Sequence, residues 1–315
     1  MNARTASNRA NKSITPWRMP GVIAFGIACV AGATLAVAAA APVIPAMPNP
    51  PGRELYFTSE GDGGWILRFD AAGNVAWKYA TPMSRDLRVL PNGNLLFPYN
   101  ENYDSGKDDN LSGVREIDPS GHLVFHFQTT GQVFSCDRAA DGLTLVGAAS
   151  QGKILFVDAA GTVVRTVTVV NKPGHACMRH VRALAGGNCL VAEESANAVR
   201  EYDTAGRMIR EIKVPFPAFA AARLANGHTV VSGRTGMVDV DANGSTGWQI
   251  EARNFPALGI RWCAGFQVLD NGDILLCNAG GKVPLIRFTP DGKVAWQSNT
   301  EAWPLPMGHA ARYVK

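Results

Sequence analysis

Beyond residue 53 the apolar and polar positions alternate with a period of two. The stretches GWILRF (64–69), GVREI (113–117), GKILFV (152–157), NAVREY (197–202), GMVDV (236–240) and PLIRF (284–288) all show it. Alternation of this kind sends successive side chains to opposite faces of a β-strand. No 3.6-residue period is sustained in this part of the chain, so few helices are expected. Each strand runs into a recurring phrase: DAAGNVAW (70–77), DPSGHLVF (118–125), DAAGTVVR (158–165), DTAGRMIR (203–210), DANGSTGW (241–248) and TPDGKVAW (289–296). The phrase begins with a turn, in which Asp caps through its own carboxylate and Gly takes a positive φ, and continues into another alternating strand.

The phrase glycines, at 73, 121, 161, 206, 244 and 292, are spaced by 48, 40, 45, 38 and 48 residues. Between phrases lies a second hairpin with turns such as Pro91-Asn92-Gly93-Asn94, Ala225-Asn226-Gly227 and Asp270-Asn271-Gly272-Asp273. The unit is therefore four short strands, a to d, and six units describe an all-β, six-bladed β-propeller of four-stranded blades. The first unit begins with b, c and d (ELYFTSE, GWILRF, NVAWKYA). The chain ends on a lone strand a (HAARYV). The two fragments complete one blade, so the N- and C-terminal strands are expected to pair and close the ring, which leaves no free edge there. Trp77, Phe125, Trp248 and Trp296 share one slot of the phrase and are read as packing against the neighbouring blade.

Residues 1–52 differ from the rest. Arg4, Arg9, Lys12 and Arg18 precede an uncharged run, GVIAFGIACVAGATLAVAAAA (21–41), that ends in small residues. This is the layout of an export leader, so 1–41 is read as a signal peptide, cleaved near Ala41 or retained as an anchor long enough to span a bilayer. PVIPAMPNPPG (42–52) reads as an extended linker, and 53–315 as the propeller. The whole chain carries +4, from 30 Lys and Arg against 26 Asp and Glu, and the leader holds four of the basic residues and no acid. The remainder is neutral, which removes nucleic acid from the expected partners. A monomer in the periplasm or outside the cell is expected, with membrane contact only through an uncleaved leader.

Five cysteines follow the leader, Cys136, Cys177, Cys189, Cys263 and Cys277. Their odd count and spacing do not suggest a disulfide framework. The segment His175-Ala176-Cys177-Met178-Arg179-His180 has metal-ligand residue types, yet on a strand His175 and Cys177 would face away from His180 and no fourth ligand is evident. Residues 100–110 (NENYDSGKDDN) are rich in oxygen ligands without EF-hand spacing and read as a solvated loop. No metal is assigned.

The LPNGNLL turn together with DxxGxxxW resembles the blades of arylsulfotransferase-like and PQQ-like repeat proteins of bacterial envelopes, over about residues 53–315. Quinoprotein dehydrogenases have eight blades and adjacent cysteines over the cofactor. This chain has six units and no Cys-Cys pair, so no cofactor is expected. Arylsulfotransferases are exported and six-bladed, with a histidine at the propeller centre as sulfuryl carrier. They are longer, and where several of their inner strands begin His-Asp this chain has Arg85-Asp86; His309 does stand at the start of the last inner strand. The resemblance implies His309 and His180 as catalytic candidates.

Alignment on the turn glycines brings Arg85, Asp86, Arg179, Arg261, Trp262 and Cys263 to the entrances of the inner strands as ligand-binding candidates, with Phe134, Met178 and Phe219 beside them. Arginine forks suit a sulfate or carboxylate. Two functions are carried forward: an envelope module that binds a small molecule or a protein, and an arylsulfotransferase-like enzyme. The alternative for each residue is that it merely finishes a strand, with Arg85 and Asp86 paired.

Overall fold

The computed structural model describes residues 53–60, 64–103, 107, 109–299 and 305–314. The leader and linker (1–52) and part of the loop at 100–110 lie outside them. No helix among the described residues is long and apolar enough to cross a membrane.

Six four-stranded antiparallel sheets follow one another along the chain. Blade I contains β1 (Leu55–Ser59), β2 (Trp65–Phe69) and β3 (Val75–Ala80), and blade II β4 (Arg88–Val89), β5 (Leu95–Asn100), β6 (Leu111–Ile117) and β7 (Leu123–Thr130). Blade III contains β8 (Val133–Arg138), β9 (Thr144–Ala148), β10 (Lys153–Val157) and β11 (Val163–Thr168). Blade IV contains β12 (His180–Ala183), β13 (Cys189–Glu193), β14 (Ala198–Tyr202) and β15 (Met208–Lys213). Blade V has β16 (Ala218–Arg223), β17 (Thr229–Gly233), β18 (Gly236–Val240) and β19 (Thr246–Glu251), and blade VI β20 (Cys263–Val268), β21 (Ile274–Asn278), β22 (Leu285–Phe288) and β23 (Val294–Gln297). The last strand, β24 (Ala311–Tyr313), pairs with β1 in the register Leu55↔Tyr313, Tyr56↔Arg312 and Phe57↔Ala311. Closure by the two terminal strands is thus the observed topology. Helix among the described residues is limited to short 3-10 turns such as Ala149–Gln151 and Pro256–Leu258.

The repeated turns work through the predicted chemistry. Asp70 Oδ1 accepts from the N–H groups of Ala72 and Asn74, both at 2.9 Å, and the same pair of bonds recurs at Asp118, Asp158, Asp203 and Asp241. Gly73 has φ +88°, which an L side chain rarely adopts. In the sixth phrase Thr289 replaces Asp, and its Oγ1 accepts from Lys293 N at 3.1 Å.

The core lies between blades. Trp77 packs against Leu95, Phe97 and Ile117 of blade II, Trp248 against Ile274 and Phe288 of blade VI, and Trp296 against Leu55 and Phe69 of blade I. Phe125 joins Val146 and Val157 of blade III. Blades III and IV carry arginine in this slot. Arg165 donates to Gly187 O, and Arg210 to Asp241 O and Ala242 O, so a guanidinium reaches the next blade's turn where an aromatic would have covered it. The inner strand of blade II is shorter than its sequence suggests. Ser84 Oγ donates to Asp86 O and the Asp86 carboxylate accepts from Leu87 N, which takes this backbone out of the ladder.

Candidate functional site

Each inner strand starts, and each second strand ends, at the same end of its blade, so the residues flanking these points converge at one mouth of the central channel. A cavity of about 180 Å³ opens there, and every blade contributes to it. Blade I gives His309, blade II Arg85, and blade III Phe134. Blade IV gives His175, Arg179, His180 and Glu194. Phe219, Ala220 and Arg234 come from blade V, and Trp262, Ala264 and Gly265 from blade VI.

Of the residues expected at the strand entrances, Arg85, Arg179, His180, Trp262 and His309 line this cavity, with Phe134 and Phe219. Met178 instead belongs to the apolar core between blades III and IV. Cys263 is wholly buried in the core of blades V and VI, where burial pushes its thiol up to about 12. Arg261 lies outside the lining with its guanidinium 4.6 Å from the centre of the Trp262 ring.

Asp86 sits below the cavity as a staple. Its two carboxylate oxygens accept from the two terminal nitrogens of Arg182 at 2.7 Å each, and Oδ2 also accepts from Ser135 Oγ at 2.6 Å. Burial opposes its ionisation, but Arg182 above all, then His180 and Arg312, hold the carboxyl far below the usual range. The same position in successive blades has one duty. Asp86 accepts from Cys136 N, Ser135 Oγ from Val181 N and His180 Nδ1 from Ala221 N, so each side chain caps an N–H of the next inner strand. Arg182 and Arg312 likewise each donate to a carbonyl of the preceding blade, Cys136 O and Phe266 O.

That arrangement defines His180. Burial and Arg182 keep its pKa well below the ordinary histidine value, so the ring is neutral. With Nδ1 accepting from Ala221, the proton resides on Nε2, which lies 3.8 Å from Asp86 Oδ1 with no hydrogen-bond partner among the described residues. The one basic lone pair is already in use, and this geometry leaves His180 no nucleophilic nitrogen.

His309 is placed differently. Its Nε2 is 3.2 Å from Glu60 Oε1, at ion-pair distance but without hydrogen-bond alignment, and Glu60 also accepts from Arg85 Nε at 2.7 Å. Burial raises the Glu60 carboxyl, but His309 and Arg85 together outweigh it and bring it down to about 2. Burial draws His309 below its ordinary value, and Glu60 opposes that shift.

The cations are fixed in place. Arg179 donates from Nε to Glu194 at 2.5 Å and from one Nη to His175 Nε2 at 2.7 Å. The His175 proton is then on Nδ1, which donates to Gln132 Oε1 at 2.8 Å, and burial with Arg179 and Arg85 brings this imidazole down to about 4. The guanidiniums of Arg85 and Arg179 both stack on Phe134, 5.1 and 4.8 Å from its ring centre. Arg234, on the tight turn between β17 and β18, stands 3.7 Å from Glu194 and is half exposed.

His175, Cys177 and His180 are each committed elsewhere, and no group of three or more His, Cys, Asp or Glu among the described residues is arranged to hold a metal. Glu60, Glu194 and Arg234 were missed at the sequence level, although a signal existed: each follows directly on the second strand of its blade.

The fold has solved counterparts. A Bacteroides caccae protein of unknown function superposes with a TM-score of 0.69 at 20% identity, covering 84% of this chain and 99% of that one. The WD40 β-propeller domain of Doa1 gives 0.58 at 15% identity, with 75% and 74% covered. A catalytically inactive histidine-to-alanine variant of virginiamycin B lyase from Staphylococcus aureus, solved with quinupristin, gives 0.54 at 12% identity, with 79% and 86% covered. Identities this low establish a shared β-propeller fold. No protein-family model matches the chain, and no curated protein matches it significantly.

Proposed function

We propose that this protein is a ligand-binding module of the cell envelope, exported by its N-terminal leader, that receives a small molecule at the channel mouth. The observation that carries this reading is the cavity itself, to which all six blades contribute different side chains. Concave sites with a few fixed polar groups and an apolar wall are where small ligands bind. The test is a small-molecule screen by thermal shift on the purified protein and on Ala220→Met, which fills the cavity from a buried position on its wall. Hits that vanish in the variant support the reading. Hits that persist in it, or a screen with none, contradict it.

A second reading is favoured by one contact. His309 stands beside the carboxylate of Glu60, in a cavity that also presents Arg85 and Arg179, and an imidazole next to a carboxylate and fixed cations is the equipment of a group-transfer enzyme of the arylsulfotransferase type. Incubation with 4-nitrophenyl sulfate and a phenolic acceptor, beside His309→Ala, decides it. Sulfuryl transfer lost in the variant supports the enzyme, and no transfer from folded protein removes it.

A further inference from the structure

Taking the channel mouth as the ligand site, the geometry points to one ligand class: a small aromatic carboxylate with a single negative charge. The cavity has two unlike sides. Blades V and VI supply Phe219, Ala220, Trp262, Ala264 and Gly265, a wall with no charged side chain. Blades II and IV present Arg85 and Arg179, and Arg234 stands at the rim. A ligand matched to both has a flat apolar body and an anionic head.

Size limits the body. A volume of about 180 Å³ is only a little larger than the roughly 150 Å³ that takes up a benzene ring. It suits one ring with a short substituent.

Charge selects the head. Three guanidiniums, Arg85, Arg179 and Arg234, meet two carboxylates, Glu60 and Glu194, and below them Arg182 and Arg312 share the single carboxylate of Asp86, so the site keeps an excess of positive charge. The imidazoles add none near neutral pH, since His175 is brought down to about 4 and His180 and His309 also lie below the ordinary value. Arg261, against the Trp262 ring, is exposed to solvent, which screens its charge. A carboxylate meets this excess with one charge, whereas the second charge of a phosphate monoester dianion would stand beside Glu60 and Glu194.

Donors are also left over. Glu60 takes only Nε of Arg85, and Glu194 takes only Nε of Arg179. Arg179 Nη1 is buried with no hydrogen-bond partner among the described residues, and Arg234 Nη2 is 3.7 Å from Glu194, beyond hydrogen-bond reach. Carboxylate oxygens supply the acceptors that these nitrogens lack.

Calorimetric titration with four compounds that share a nitrophenyl body tests the class: 4-nitrobenzoate, 4-nitrobenzamide, 4-nitrophenyl phosphate and 4-nitrophenyl sulfate. The benzoate is expected to bind at least tenfold more tightly than the amide and the phosphate, and no more weakly than the sulfate. Removing one charge-assisted hydrogen bond in Arg179→Gln should weaken it roughly ten- to a hundredfold. Arg234→Gln, at a half-exposed rim position that does not endanger folding, should weaken it by a few fold. Thermal unfolding of each variant separates lost binding from lost fold. Equal binding of the amide, or tighter binding of the phosphate or sulfate, overturns the carboxylate class while leaving the channel mouth as a ligand site. If none of the four binds but the wider screen gives hits lost in Ala220→Met, the class alone fails. If nothing binds the folded protein, both readings fail together.

Discussion

Asp86 and Arg182 meet from blades II and IV, oxygen to nitrogen at 2.7 Å twice over, across the intervening blade III. The pair is almost wholly buried and also holds Ser135 and the carbonyl of Cys136, so it ties three blades at the axis. Removal of one partner leaves a buried, uncompensated charge. Asp86→Asn should therefore cost about 3–5 kcal/mol, read by urea unfolding. Combining it with Arg182→Gln should cost less than the sum of the two single changes.

Stability should fall on the acid side of neutrality before ordinary carboxylates titrate. The folded pKa of His175 is depressed from 6.5 to about 4, so between these values the unfolded chain binds more protons than the folded one. The contribution is complete above about pH 6.5 and is lost as pH falls toward 4. His180 and His309 act in the same direction. Below about pH 4.5, protonation of Glu60, held down to about 2, adds to the loss. Urea midpoints from pH 8 to 4 should decline from near 6.5, and His175→Gln should decline less steeply.

Closure concentrates much of the ring's integrity in eight residues. Ala310 and Thr58 exchange hydrogen bonds, Val314 N donates to Glu54 O, and Tyr313 is buried against Leu55 and Phe69. Truncation after Met307 opens blade I and takes away His309. The truncated protein should unfold at far lower urea than its lost surface suggests, and Tyr313→Ala alone should cost about 3 kcal/mol.

The slot between blades predicts a contrast. Trp296 is 1% exposed, and Trp296→Ala should cost about 3–5 kcal/mol. Arg210 fills the equivalent place with hydrogen bonds to turn carbonyls near the surface, and Arg210→Ala should cost no more than about 1 kcal/mol. Equal losses would contradict the interlocking described here.

The fold was legible because a tight x-x-x-Gly turn headed by Asp, or by Thr289 in the last blade, recurs wherever a third strand meets a fourth, and its side-chain chemistry shows in the sequence. Closure was legible because the lone strand at 309–314 had no local partner. The site was legible in part. The turn glycines fix the start of each inner strand, so Arg85, Arg179, Trp262 and His309 could be brought together, but alignment does not reveal which way a side chain turns. Asp86 and Arg261 stood in that set, yet one turns down to Arg182 and the other packs on the Trp262 ring outside the lining. Arg182 and Arg312 went unnoticed because a charge on an inner strand gives no sign of the carbonyls it will meet in the preceding blade.

The most direct measurement of the central claim is ¹⁹F NMR of protein labelled with 5-fluorotryptophan and titrated with 4-nitrobenzoate, with the Trp262 resonance assigned through Trp262→Phe. Binding at the channel mouth predicts that the Trp262 signal shifts while those of Trp77, Trp248 and Trp296, on the outer strands, stay in place. An outer-strand signal that moves while Trp262 does not would place the ligand elsewhere and contradict the account.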